Sequence, residues 1–265
     1  MRRILLTLAV SLATLPAVAA IQQAPLEWAS GDKTFSGVLV YDDVGKARPG
    51  VLMVPNWMGV TDAAIAQARE VAGAGYVVLV ADMYGKGIRP ADSDEARKQV
   101  QAVFADGGVT ARQRAGDALA ALRGQAGRLP LDAGRVAAIG YCFGGTVALE
   151  IARAGADVDG VVSFHGGLGS PAPAGAQSPV ATSILVLNGA DDTSVPDEAI
   201  LAFEQEMDAA GADWQLVNFS GAAHCFTHPE DAGKTGNCRY DARSARRAFE
   251  MMRDFLGERF QAPGG

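Results

Sequence analysis

The chain has 265 residues, 49% of them hydrophobic and 20% charged, with a formal net charge of −7. That length suits one large α/β domain, and an acidic chain without a basic stripe is a poor candidate for nucleic acid as a partner.

In chain order, residues 1–20 read as an export signal. Arg2 and Arg3 form a basic start, 4–16 is mostly apolar, and Ala17-Val18-Ala19 supplies the small-x-small pattern of a cleavage site. The apolar run is too short to span a bilayer comfortably, and no later run is long enough to try. A single domain over 21–265 is therefore expected, exported to a periplasm or medium, with no membrane partner in the mature form. Short apolar runs then alternate with longer amphipathic ones. Strands are predicted at 34–41, 51–54, 76–81, 136–140, 160–164, 184–188 and 214–219, and helices at 62–72, 94–103, 111–122, 144–154, 197–210 and 241–256. Most of the later strands are β-branched and apolar on both faces. That predicts an α/β fold with a mostly parallel central sheet and helices on both faces. The last helix puts Ala245, Ala248, Phe249, Met252, Phe255 and Leu256 on one face. The stretch 166–182, rich in Gly, Ala, Pro and Ser, reads as a loop between two strands.

The informative segment is Gly140-Tyr141-Cys142-Phe143-Gly144-Gly145, a buried strand running into Gly-x-Cys-x-Gly-Gly ahead of an Ala-rich helix. This is the pattern of a nucleophile elbow with cysteine in place of serine. The turn is so tight that positions two before and two after the nucleophile cannot carry bulk, hence Gly140 and Gly144. A thiol held there sits at a helix N-terminus, where the dipole favours thiolate. The alternative is a small buried cysteine beside a glycine turn.

Elbow hydrolases present nucleophile, acid and histidine in that order. The strand at 184–188 leads into Gly189-Ala190-Asp191-Asp192-Thr193-Ser194-Val195-Pro196, whose Gly-x-x-Asp-x-x-Val-Pro register selects Asp192, with Asp191 as the alternative. The strand at 214–219 leads to His224. The chain has only three histidines; His165 ends a strand, and His228 precedes a proline. Three cysteines leave one thiol over in an oxidising compartment. Cys225 and Cys238 share a loop-like stretch and are the natural pair, a closure worth about 3 kcal/mol in the chain-entropy model, so Cys142 is the one left free.

At these residues the chain resembles the dienelactone hydrolase family over nearly its whole mature length. The matching pieces are Val51-Leu52-Met53-Val54-Pro55-Asn56-Trp57-Met58-Gly59, Ala81-Asp82-Met83-Tyr84-Gly85, the cysteine elbow, and His224-Cys225-Phe226-Thr227-His228-Pro229. The resemblance implies a single-domain α/β-hydrolase fold, no cofactor, and a Cys142–Asp192–His224 triad; no metal is expected, because no His/Asp/Glu cluster has ligand spacing. It also implies an oxyanion site made by the backbone N–H groups of Trp57 and Phe143, such donors typically being worth about 3–4 kcal/mol each in the transition state. In the best-known members a glutamate stands at the position of Asn56, and two arginines hold the substrate carboxylate; by register these fall on Lys86 and His228. Asn56 cannot take a proton, so His224 is expected to deprotonate Cys142. The expected reaction is hydrolysis of a small ester or lactone through a thioester. A monomer is expected, with a dimer as the alternative. The competing reading from another class is a non-catalytic periplasmic binding or redox protein on the same fold.

Overall fold

The computed structural model describes residues 20–43 and 45–261, so nearly all of the expected signal segment lies outside the described residues. Within them, eight strands form one sheet: β1 (Ile21–Ser30), β2 (Lys33–Asp42), β3 (Arg48–Val54), β4 (Val77–Val80), β5 (Leu131–Tyr141), β6 (Val161–Phe164), β7 (Ile184–Gly189) and β8 (Trp214–Phe219). The helices are α1 (Asp62–Gly73), α2 (Ser93–Phe104), α3 (Val109–Arg123), α4 (Phe143–Arg153), α5 (Asp197–Ala209) and α6 (Ala242–Arg259), with a single 3-10 turn at Pro229–Asp231. Strand order is β1-β2-β4-β3-β5-β6-β7-β8. The first two pairings, β1 with β2 and β2 with β4, are antiparallel; all others are parallel. This is an α/β-hydrolase architecture with a mixed, mostly parallel sheet.

The expected strands and helices all occur, and β1 is an addition. Its sequence, IQQAPLEWAS, is half polar, mostly part-exposed, and interrupted by Pro25. It survives because it is the outer edge, where a proline forfeits no ladder bond, and because ten residues pair with β2 around a turn whose Gly31 has φ 58°.

The side-chain period of two explains the layers. Along β3, Leu52 and Val54 enter one core with α3 and α4, while Val51 and Met53 enter the other with α1 and α6. Ala138 in β5 faces the first core, and Ala137 and Ile139 face the second. Both faces of the central strands are thus covered. Three helices start on side-chain caps: Thr61 for α1, Asp92 for α2 and Asp241 for α6. Such a cap is worth about 1 kcal/mol. Loops that leave the carboxyl ends of β3, β5, β6, β7 and β8 converge at one end of the sheet.

Candidate active site

The strand β5 runs straight into Cys142, which has φ 55° and ψ −119° and immediately precedes α4. A left-handed conformation is costly for a residue with a side chain, of order 1–3 kcal/mol. The surroundings hold it in place. Cys142 N–H donates to the Phe164 carbonyl at 3.0 Å, and its own carbonyl accepts from Gly145 N–H at 2.9 Å. The glycines answer close approaches: a Cβ on Gly140 would overlap the Gly144 carbonyl, and one on Gly144 would overlap the carbonyls of Val54 and Pro55. One on Gly145 would come within 2.7 Å of Ser163 Oγ, on the neighbouring strand. Among the described residues the non-glycine positions with positive φ are Cys142, His165 and Cys225, so backbone strain is concentrated where the loops meet.

The thiol points at the imidazole of His224, with Sγ 3.0 Å from Nε2. On the other side of the ring, Nδ1 lies 2.7 Å from Asp192 Oδ2. The other oxygen of Asp192 accepts from Ser194 N–H at 2.8 Å and from Asn237 Nδ2 at 3.1 Å. Asp191 turns away to Arg239 at 3.1 Å. Burial by itself lowers the pKa of His224, but its hydrogen bonds to Asp192 and Cys142 and their negative charge outweigh it and raise the value to about 10. Burial pushes the Asp192 carboxyl up, and the His224 contact overrides it, leaving the group below its ordinary range. The ring therefore carries a proton at neutral pH, facing a sulfur on one side and a carboxylate on the other. Asn237 has no motif to announce it: it clamps the acid loop by donating to Asp192 and Ser194 Oγ and accepting from Thr193 N–H.

The loop after β3 forms the opposite wall. Asn56 Oδ1 accepts from Met58 N–H at 3.0 Å and so shapes its own loop. Tyr84 Oη donates to the Trp57 carbonyl at 2.8 Å, and the buried Asp82 fixes Tyr84 by accepting from its N–H at 3.0 Å. Both carbonyl-side anchors leave the Trp57 peptide oriented. A cavity of about 660 Å³ opens here, and its lining includes Asn56, Trp57, Met58, Cys142, His224 and His228.

The two expected carboxylate contacts, Lys86 and His228, are placed differently from each other. Lys86 does not line this cavity; its ammonium lies 2.8 Å from Glu27 and is 55% exposed. His228 does line it, but is buried, with Nδ1 3.6 Å from Asp231 and Nε2 without a hydrogen-bond partner. Burial, above all, lowers its pKa and keeps the ring neutral. His165 sits wholly buried behind the site, its Nε2 2.7 Å from Thr227 Oγ1 and its ring 5.1 Å from that of His224. Burial holds it neutral as well.

Cys225 and Cys238 are joined in a disulfide, and Cys142 is the free thiol. The bridge follows His224 directly on one side and Asn237 on the other. Arg239 N–H donates to the His224 carbonyl at 3.0 Å, completing the tie. Cys225, Asp231 and Cys238 bring their ligand atoms within 4.8 Å of one another, but both sulfurs are committed to the bridge.

The model of the family described as "Dienelactone hydrolase family" matches residues 35–260. A solved structure named m3DLH is 36% identical, with a TM-score of 0.84, covering 91% of this chain and 100% of that one. A dienelactone hydrolase-like promiscuous phosphotriesterase from metagenomic libraries is 34% identical, with a TM-score of 0.83 and the same coverage of both chains. An uncharacterized protein of Caenorhabditis elegans is 33% identical over 132 residues, which is 49% of this chain and 84% of that protein.

Proposed function

The chain belongs to the dienelactone hydrolase family and is a carboxylic ester hydrolase of that type; from this premise we propose that Cys142 is its nucleophile, with His224 as acid–base and Asp192 as the residue orienting the ring. The observation that carries the reading is the unbroken line from Cys142 Sγ through His224 to Asp192, at 3.0 and 2.7 Å, beside a cavity. The sulfur attacks the ester or lactone carbonyl, and the oxygen that becomes negative is received by the N–H groups of Trp57 and Phe143. The His224 proton passes to the departing alkoxide, leaving a thioester on Cys142. Water, deprotonated by His224, then releases the acid and restores the thiol. A thioester route favours activated acyl groups, which supports esters and lactones over amides.

The test is a panel of p-nitrophenyl esters and simple lactones, run on wild type and on Cys142→Ala. Turnover is expected in the wild type and a fall of at least about a thousandfold in the variant. A quenched reaction should show Cys142 heavier by the acyl group in the mass spectrum. Turnover that survives the substitution would remove the mechanism. Silence on every substrate would favour a non-catalytic binding role. A second reading comes from the 34% identical neighbour, named as a phosphotriesterase: the same thiol can be asked to open a dialkyl aryl phosphate, which belongs in the panel.

Export supplies the setting. A disulfide between Cys225 and Cys238, and a first strand that starts at Ile21, support removal of 1–20 from a single domain that works in a periplasm or medium. Among the described residues no helix is long and apolar enough to cross a membrane. Protein recovered from the periplasmic fraction or medium should begin at Ile21; a chain starting at Met1 there would overturn the assignment.

A further inference from the structure

The wall of the Cys142 cavity offers no uncommitted cation to an incoming anion. His224 lines it, but its proton is already shared between Asp192 and Cys142. The remaining charged lining is Glu230, Asp231 and Lys234, one cation against two carboxylates. The cation is already engaged: Lys234 Nζ sits 2.5 Å from Asp231 Oδ1. Glu230 has no hydrogen bond or ion pair among the described residues and faces solvent. His228, the other group on that side able to carry positive charge, is buried and neutral. The nearby basic side chains are used elsewhere, Lys86 on Glu27, Arg89 on Asp82 and Arg239 on Asp191.

We propose that this cavity selects its esters by charge, taking uncharged or cationic ones and rejecting those that carry a carboxylate, with Glu230 as the selecting residue. A carboxylate entering the cavity would lose water and meet no uncommitted cation, which is costly. It would also approach Glu230, whose field is repulsive. An ammonium group on the same chain would find the exposed carboxylate of Glu230. An uncharged acyl chain would pack on Trp57, Met58 and the disulfide without either effect. For turnover this rests on the ester-hydrolase reading above; for access to the thiol it does not.

Two measurements separate those dependencies. The first is kcat/KM for three p-nitrophenyl esters of equal acyl length, ending in methyl, carboxylate and trimethylammonium. The carboxylate ester should fall about tenfold or more below the methyl ester at low salt, and the gap should shrink as salt screens the outer charges. The second is the rate at which Cys142 is modified by methanethiosulfonates carrying sulfonate, methyl or trimethylammonium, each normalised to a free cysteine peptide. The ammonium reagent should react about tenfold faster than the sulfonate reagent after normalisation. In Glu230→Gln both ratios should narrow, and in Glu230→Lys they should invert. Equal or faster reaction of the anionic members in wild type would overturn the proposal, as would ratios indifferent to Glu230. If the anionic preference then disappears in Lys234→Gln, Lys234 is a carboxylate binder and the assignment is wrong. Should the esters fail while the labelling ratios hold, the hydrolase reading fails and the charge selection stands.

Discussion

Cys142 depends on an imidazole that is itself held from behind. Asn237 donates to one oxygen of Asp192 while His224 uses the other, so the carboxylate cannot rotate without breaking a bond. Asn237→Ala should lower kcat about tenfold, equivalent to about 1.4 kcal/mol, with KM changed little. A variant with full kcat would reduce Asn237 to a loop tether. The raised pKa of His224 has consequences of definite sign. The folded value is about 10 against 6.5 for the free group, so the stability this residue contributes is complete below about pH 6.5 and is lost as pH rises through 10. Wild-type Tm should therefore decline between pH 7 and 10 more steeply than that of His224→Gln. The alkaline limb of kcat/KM should appear near pH 10, where the proton for the leaving group is lost; a limb near pH 7 would mean a neutral ring. Cys142, Asp192 and His224 were legible in the sequence because each follows a strand in a fixed order. Asn237 was not, since its partner lies 45 residues away in a loop without periodic pattern. The Lys86 ion pair was not legible for a related reason: its partner Glu27 belongs to β1, the one strand that the apolar pattern did not reveal.

At the scale of elements, the segment from His224 to Arg239 behaves as a stapled loop. The disulfide fastens the residue after the imidazole to the residue after the asparagine clamp, and His224 pairs with the Cys238 strand segment through an isolated parallel bridge. One covalent bond thus registers acid and base together. Cys225→Ala/Cys238→Ala should lose about 3 kcal/mol of stability in the chain-entropy model for a loop of this size. At a temperature where the variant is fully folded, kcat should still fall about tenfold through misplacement of His224. Phosphine reduction of the wild type should reproduce that loss. Retention of full kcat in both would leave the bridge a stabiliser alone. The elbow shows the opposite relation, in which local sterics suffice: Gly140, Gly144 and Gly145 are required by carbonyls, a hydroxyl and a backbone atom that no neighbouring side chain can avoid.

For the whole molecule, the helix that presents Cys142 is anchored at its far end by a buried ionic cluster. Arg153, with 1% of its side chain exposed, bonds Glu150, both oxygens of Glu206 and the Leu168 carbonyl. Arg112 reaches Glu150 from α3, and Ala174 N–H donates to Glu206. The cluster joins α3, α4, α5 and the irregular stretch 166–182, which is why a loop of that length stays ordered. Arg153→Ala leaves carboxylates buried with fewer partners and should cost about 3–5 kcal/mol in urea unfolding. Because the residue is remote from the thiol, kcat of the folded fraction should persist. Glu150→Gln/Arg153→Met, which removes charge on both sides, should recover part of the loss. A cost under about 1 kcal/mol for Arg153→Ala would place the cluster outside the cooperative core.

By itself, the sequence determined the layered α/β plan, the elbow, the order of thiol, acid and base, and which thiol would be left over. These follow from interactions between residues close in the chain, where apolar period and turn sterics act directly. Only the tertiary structure decided that Asn237 clamps the Asp192 carboxylate, that His228 is buried and neutral, and that Lys86 is drawn off to an edge strand. Those outcomes depend on distance through space and on burial, which set the strength and sign of electrostatic effects. The same is true of the charge of the cavity, and hence of the esters proposed to enter it.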